Sequence, residues 1–189
     1  MNIILGSQSP RRRELMVGLD VPFTAINIHA DESYPQDLQG GEIPMYIARE
    51  KAHAYAKQLG EGDLLITADT IVWLNGQVLG KPQDEQEACH MLRMLSGKTH
   101  QVYTGVCMMT QKGIVENFVD RTDVTFKELT DDEVTSYVQK YKPLDKAGAY
   151  GVQEWIGYVA VTRLQGSYFN VMGFPVDRVY EALKRLKQA

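Results

Sequence analysis

The order of strand and helix patterns along the chain constrains the fold more than any other feature. Residues 2–6 form a short apolar segment typical of a strand. Ser9 and Pro10 then predict a helix start, because serine caps helix N-termini and proline is tolerated at the first helical position. Residues 42–59 carry apolar side chains at helical spacing. This early alternation, followed by paired strands in the middle of the chain, predicts an α/β fold around a mixed sheet.

The later elements can be predicted in the same way. The segment after residue 62 predicts a strand that turns back at Asn75 and Gly76, a pair typical of hairpins. Residues 147–174 are rich in glycine and aromatic residues and predict strand or loop. The other predicted elements are strands over 23–28, 100–110 and 114–126, and helices over 84–95, 130–141 and from Pro175 to about Lys187.

Length and composition predict the class of protein. A chain of 189 residues is expected to form a single domain over 1–189, with room for two lobes. A net charge of −4 argues against a nucleic-acid binder. The two cysteines and the lack of a signal segment predict reduced thiols in a cytoplasmic protein. No apolar run approaches the roughly 20 residues that span a bilayer, so no membrane contact is expected.

Three common site patterns are excluded. Gly97-Lys98-Thr99 resembles the end of a P-loop, but Leu92 stands where that loop needs a glycine. A helix end, with Gly97 in a left-handed turn, explains the segment better. The four histidines show no metal-ligand spacing, and the GxSxG pattern of many hydrolases is absent.

The stretch SQSPRRREL, residues 7–15, is the first candidate site. A strand end followed by a capped helix start presents backbone N–H groups and a positive dipole to an anion. The same dipole disfavours arginine in the first turn, so Arg11, Arg12 and Arg13 need a reason to be there. A bound polyphosphate would supply one, since guanidinium groups bind phosphate oxygens in pairs. A solvated helix face explains the arginines equally well, and both interpretations stay open.

Asp69 is the second candidate, because it lies between two apolar runs where an unpaired carboxylate is costly to bury. It is either a turn or edge residue, or a functional carboxylate near a strand end. Lys51, at the rim of its helix's apolar stripe, and Lys81, after Gly80, could each be structural or solvated. In DKAGAYGVQ, residues 145–153, small residues allow the backbone to approach a ligand, and the Gln153 amide could read a base edge.

Together these segments resemble the Maf family of nucleoside triphosphate pyrophosphatases. No single match is decisive, but the set is specific, follows the family's order and covers nearly the whole chain. The matching segments are SQSPRR at 7–12, the DE pair at 31–32, REK at 49–51, ADT around Asp69, GKP at 80–82 and DKAGAYGVQ at 145–153.

The resemblance implies hydrolysis of a nucleoside triphosphate between its α and β phosphates, giving a monophosphate and pyrophosphate in a house-cleaning role. It implies a divalent metal cation, Mg²⁺ or Mn²⁺, as cofactor. The implied fold is an elongated two-lobed, mixed-sheet α/β fold of the Maf/ITPase-like type, with the active-site cleft between the lobes. A homodimer is also implied.

The resemblance extends to a subgroup. Members that act on dTTP and UTP carry arginine, threonine and glutamine at three positions that here are Arg12, Thr70 and Gln153. Relatives of the 7-methyl-GTP type carry different residues there. Gln8 departs from the small residue usual in the family, and this departure does not change the expected substrate.

The family also implies roles for these residues. Triphosphate binding falls to Ser7, Arg11 and Arg12, whereas Arg13, further round the helix, is expected to be solvated. Lys51 and Lys81 would neutralise developing charge. Asp69 would act as general base or would hold the metal, with Glu32 as the second acid near the metal. Thr70 and Gln153 would select a pyrimidine with a free carbonyl and N3–H.

A second hypothesis comes from a different class of protein. The family is associated with inhibition of septum formation, so a nucleotide-binding regulator of cell division stays an alternative. Such a regulator would keep a basic site but would not require Asp69. The presence of Asp69, Lys51 and Lys81 together favours the enzyme.

Overall fold

A computed structural model describes residues 1–188, and within that range the chain forms seven strands and seven α-helices. No helix in this range is both long and apolar enough to cross a bilayer. The strands are β1 (Asn2–Gly6), β2 (Thr24–Ile26), β3 (Asp63–Leu74), β4 (Gln77–Leu79), β5 (Thr99–Thr110), β6 (Gly113–Phe126) and β7 (Val161–Gln165). The helices are α1 (Pro10–Val17), α2 (Glu42–Tyr55), α3 (Glu85–Leu95), α4 (Asp131–Tyr141), α5 (Trp155–Ala160), α6 (Tyr168–Met172) and α7 (Val176–Gln188), with 3-10 turns at Ala56–Gln58 and Ala147–Ala149.

The strands form one sheet in the order β2-β1-β3-β5-β6-β7, and β4 pairs with β3. Strand β1 is parallel to both its neighbours, with Ile4 opposite Thr24 on one side and Leu65 on the other. The β3–β4 and β6–β7 pairs are antiparallel. A sheet that mixes both directions and is accompanied by helices confirms the predicted α/β class.

The chain divides into two compact units. The first unit contains Met1–Asp69, Thr104–Asp120 and the residues from Gly173 through α7, and the second contains Thr70–Tyr103 and Arg121–Met172. Strands β3, β5 and β6 each contribute residues to both units. Each unit has its own apolar core. The core of the first unit includes Ile4, Ala48, Ala52, Leu65 and Cys107, and that of the second includes Leu92, Leu95, Phe126, Tyr137 and Ile156.

Local sequence signals account for several element ends. Helix α1 begins after Ser9, whose side chain accepts a hydrogen bond from the Arg12 N–H. The β3–β4 hairpin turns at Asn75 and Gly76, both at positive φ, as a type I′ turn requires. Gly97 follows α3 with φ of 68°, which confirms the predicted left-handed turn.

Close contacts fix helix α2 against the sheet. The Thr67 hydroxyl, in β3, donates a 2.7 Å hydrogen bond to the Ala48 carbonyl of α2. A Cβ atom at Gly105, in β5, would lie 2.4 Å from the Met45 nitrogen, so only glycine permits this approach of the two backbones. Helix α2 is therefore anchored one turn before Lys51.

The prediction of strand or loop over residues 147–174 is wrong in part. This segment contains helices α5 and α6 as well as strand β7. The two helices have six and five residues, too few for an apolar stripe to repeat in the sequence. Their formation depends on packing of the whole segment, which local sequence does not report.

Candidate active site

A lysine joins two of the predicted carboxylates. The Lys51 Nζ atom lies 2.9 Å from Oδ1 of Asp69 and 2.8 Å from Oε1 of Glu32. The Lys51 and Asp69 side chains are only 12% and 13% exposed, whereas the Glu32 side chain is 53% exposed. The three residues come from α2, β3 and the loop after β2, so the fold assembles a cluster that no local stretch of sequence contains.

The helical pattern explains why Lys51 faces inward. Ile43 and Ile47 are buried, and Lys51 follows them with the same spacing of four residues. Its aliphatic stem is covered, and its ammonium group meets Asp69, which has buried neighbours in β3. Because a buried carboxylate needs a partner, the ion pair makes this position of Asp69 tolerable. Asp69 therefore lies inside β3 in an ion pair and does not belong to a surface turn.

Arg12 lies near the same charges. Its Nε atom donates a 2.7 Å hydrogen bond to the Gly173 carbonyl, which fixes the guanidinium group. Burial lowers the pKa of Arg12 from its ordinary value, Asp69 and Glu32 oppose this shift, and Arg11 adds to it. Arg12 is therefore partly desolvated and is influenced by both carboxylates of the cluster.

Ser7 lies at the end of β1 and is buried. Its backbone N–H bonds the Ile26 carbonyl at 3.0 Å, and its hydroxyl oxygen accepts from the Ser9 N–H at 3.2 Å. Together with the Ser9 cap, these bonds order the turn from β1 into α1. The turn therefore holds Ser7 and the first residues of α1 in a defined arrangement.

The expectation that Arg13 is solvated is wrong. The Arg13 guanidinium group donates to the Ser7 carbonyl from Nε and Nη2, at 3.1 and 2.9 Å, and to Oδ1 of Asn27 at 2.6 Å. Helical side chains point back toward the helix N-terminus, so a long arginine can reach the turn that precedes its own helix. Arg13 therefore ties this turn to the residue that follows β2.

The remaining predicted residues belong to the second unit. Thr70 follows Asp69 in β3, and Lys81 is exposed just after β4. The Gly148 N–H donates a 3.0 Å hydrogen bond to the Gly80 carbonyl, which joins the GKP segment to the AGAYG segment. The Oε1 atom of Gln153 is buried and has no hydrogen-bond partner among residues 1–188. This is an unusual state for a buried amide oxygen.

Comparison with known families decides which family this chain belongs to. A family model described as Maf-like protein matches residues 2–186. The chain belongs to the Maf family. The resemblance inferred from the six segments is thereby confirmed.

Similar proteins carry a consistent name. A protein of Bacteroides thetaiotaomicron named dTTP/UTP pyrophosphatase is 56% identical over 185 residues, covering 97% of this chain and 95% of the relative. A protein of Parabacteroides distasonis with the same name is 52% identical, covering 96% and 94%. In Porphyromonas gingivalis, a protein of that name is 50% identical, covering 96% and 92%.

Solved structures of low sequence identity share the fold. A HAM1 protein from Coxiella burnetii matches with a TM-score of 0.53 at 13% identity, covering 98% of this chain and 99% of that one. The Ham1 protein of Staphylococcus aureus matches with a TM-score of 0.57 at 18% identity, covering 97% and 98%. At such identities the likeness concerns the fold alone.

Some polar residues of this Maf protein were missed by sequence reasoning. Lys146, within the DKAGAYGVQ segment, is buried and pairs with Glu154, which also accepts a hydrogen bond from Tyr137. A lysine followed by three small residues was the available signal. The partners could not be identified from it, because Tyr137 lies in a separate helix.

Proposed function

We propose that this protein is a nucleoside triphosphate pyrophosphatase that hydrolyses dTTP and UTP to the monophosphate and pyrophosphate. The observation that carries the proposal is the Glu32–Lys51–Asp69 cluster, in which one ammonium group bridges two carboxylates near Arg12. Such a cluster offers both a proton acceptor and positive charge for phosphate oxygens. The common name of relatives that are 50% to 56% identical supports the same substrates.

Phosphate binding would fall to Ser7, Arg11 and Arg12 at the start of α1. The helix dipole favours negative charge at this end, and guanidinium groups bind phosphate oxygens in pairs. The bond from Arg12 to the Gly173 carbonyl fixes the guanidinium plane in advance. Less side-chain entropy is therefore lost when a triphosphate binds.

Asp69 would act as the general base that accepts a proton from the attacking water. Lys51 holds the Asp69 carboxylate in place through the 2.9 Å ion pair and supplies positive charge beside it. As negative charge develops on the phosphate oxygens, Lys51 and Lys81 would stabilise it. Thr70 and Gln153 would contribute to base selection, with the Gln153 oxygen, which has no partner within residues 1–188, accepting from a base N–H.

The acidic residues fit a divalent cation, Mg²⁺ or Mn²⁺. In the part of the chain that the structure describes, no three His, Cys, Asp or Glu side chains gather as a metal site. Mg²⁺, however, commonly binds one or two carboxylates and takes its other ligands from water and substrate phosphates. Glu32 and Asp69 already share one cation, the Lys51 ammonium group, so both could face a metal ion. The bound ion would neutralise charge on the phosphate oxygens.

The proposal extends to assembly and location. The Maf resemblance supports a cytoplasmic homodimer. The net charge of −4 supports a protein that binds neither nucleic acid nor membrane. Light scattering on purified protein would give the oligomeric state. A strictly monomeric species at all accessible concentrations would contradict the dimer.

The reaction is tested by pyrophosphate release with Mg²⁺ or Mn²⁺ from dTTP, UTP, CTP, dATP, GTP and 7-methyl-GTP. Asp69→Asn should remove nearly all turnover, because the proton acceptor is lost while the shape is kept. Asp63→Asn, on the same strand, is the matched control and should keep wild-type rates.

Three outcomes would count against parts of the proposal. Preference for 7-methyl-GTP would keep the reaction but refute the assignment of Arg12, Thr70 and Gln153. Full activity of Asp69→Asn would refute the general base. Nucleotide binding without turnover of any substrate would refute the enzyme and favour the cell-division regulator.

A further inference from the structure

A buried polar network lies beneath the segment that carries Gln153. The Lys146 side chain is only 11% exposed, and its Nζ atom lies 3.1 Å from Oε1 of Glu154 and 2.8 Å from Oδ1 of Asp145. The other carboxylate oxygen of Glu154 accepts from the Tyr137 hydroxyl, which accepts in turn from the Gly151 N–H at 3.2 Å. Glu154 therefore connects both ends of the 146–154 segment to helix α4.

The network is sensitive to the loss of any member. A buried lysine is costly unless it is paired, and removing one partner of a buried pair leaves an uncompensated charge. Tyr137 is almost fully buried, and burial together with the hydrogen bond to Glu154 raises the pKa of its hydroxyl. The hydroxyl therefore stays a neutral donor, and the geometry of the segment depends on these few bonds.

The backbone of the same segment has little room to move. Gly148 and Ala149 both have positive φ, at 67° and 59°, and Ala149 is fully buried. A non-glycine residue in this conformation is disfavoured and persists only where its surroundings impose it. A Cβ atom at Gly157 would lie 1.7 Å from the Val152 carbonyl oxygen, so α5 packs directly against the backbone next to Gln153.

Gln153 and two members of the network surround Gly151. A Cβ atom at Gly151 would lie 3.1 Å from three groups at once: Nε2 of Gln153, Cε of Lys146 and Cδ of Glu154. The Gln153 amide and the Lys146–Glu154 pair thus pack around the same backbone atom. Since Gln153 directly precedes Glu154 in sequence, any shift of the Glu154 backbone displaces the amide.

We propose that Glu154, through Lys146 and Tyr137, is a positioning residue that sets the orientation of the Gln153 amide and thereby the choice of base. This inference rests on the proposed function, in which Gln153 reads the pyrimidine. Uracil and thymine present an N3–H donor, whereas cytosine presents an acceptor there, so a displaced amide loses discrimination between UTP and CTP. The proposed general base Asp69 and its partner Lys51 belong to the first unit and pair with each other, outside this network, so selectivity should change more than kcat.

The test uses full-length variants and pyrophosphate release from UTP and CTP. Tyr137→Phe keeps the ring but removes both hydrogen bonds of the hydroxyl group. The ratio of kcat/KM for UTP over CTP should fall about tenfold, as expected if the displaced Gln153 amide loses one buried hydrogen bond to the base. Glu154→Gln should lower the same ratio. The value of kcat at saturating UTP should stay within about threefold of wild type. Tyr141→Phe is the matched control, because this ring stacks on Tyr137 at 5.1 Å from the same helix.

A conservative variant separates positioning from general damage. Lys146→Arg keeps a cation for Glu154 and should retain most of the selectivity that Lys146→Met loses. Unchanged UTP-over-CTP ratios in folded Tyr137→Phe and Lys146→Met would overturn the positioning role, as would a uniform fall in kcat with selectivity intact. Wild-type protein without pyrophosphate release from any nucleotide would refute the proposed function itself, which is a different result.

Discussion

The buried histidine His100 should make the stability of this protein depend on pH. Its side chain in β5 is fully buried, and Nε2 lies 2.7 Å from the Tyr150 hydroxyl. The ring lies edge-on to Phe126 and Tyr150, and Nδ1 has no hydrogen-bond partner within residues 1–188. Burial lowers the pKa of His100 from 6.5 to about 4, and the charge of Asp123 opposes this only in part.

The sign and size follow from the two pKa values. In the unfolded chain His100 takes up a proton as the pH falls through 6.5, whereas in the folded protein it does so only near 4. His100 therefore does not lower the free energy of unfolding above pH 6.5. As the pH falls from 6.5 toward 4, the unfolded chain binds more protons than the folded protein, and the free energy of unfolding decreases. A fall in pKa from 6.5 to about 4 corresponds to a loss of about 3 kcal/mol.

Urea denaturation between pH 5 and 8 measures about 2 kcal/mol of this loss, because the rest is lost below pH 5, and His100→Gln is the test variant. Carboxylates also titrate toward pH 5, but they are common to both proteins and cancel in the difference. The variant should be less stable at pH 7, because it disturbs the packing against Phe126 and Tyr150, yet its stability should change less between pH 7 and 5. His53→Gln, which removes a half-exposed histidine, should keep the wild-type slope. Equal losses for wild type and His100→Gln would refute the reasoning.

Three further predictions concern other parts of the molecule. Lys51→Met removes the cation between two carboxylates, so Mn²⁺ should bind at least about tenfold more tightly in the absence of nucleotide. Titration calorimetry measures this affinity, and an unchanged value would contradict the proposed metal residues. Gly105→Ala places a Cβ atom 2.4 Å from a backbone nitrogen of α2, so the free energy of unfolding measured in urea should fall by about 3 kcal/mol. Gly60→Ala is the control: its Cβ atom has only a 3.4 Å contact, and the free energy of unfolding should fall far less. Burial raises the pKa of the Cys107 thiol to about 11, so Cys89 should react first with a disulfide reagent in the native state, and equal rates would contradict this.

Features with a local cause could be predicted from the sequence. The start of α1 at Ser9 and Pro10 and the hairpin at Asn75 and Gly76 both agree with the structure, because caps and tight turns depend on a few adjacent residues. The position of Lys51 at the rim of the apolar stripe of α2 followed from helical periodicity. Its pairing with Asp69 did not, since that contact needs the packing of α2 on β3.

Partnerships between distant polar groups could not be predicted, and they decide the geometry of the candidate site. Arg13 was expected in solvent because the helical period rotates it away from Arg12. The helical period, however, fixes only the direction of the Cβ atom and not the position of the guanidinium group. An arginine side chain is long enough to turn back over the helix start, and the Ser7 carbonyl and Asn27 offer acceptors there. The same limit applies to Glu154, whose partners come from both ends of one segment and from α4. Sequence patterns indicate which residues can bind a charge, whereas the packing of elements decides which charge each of them meets.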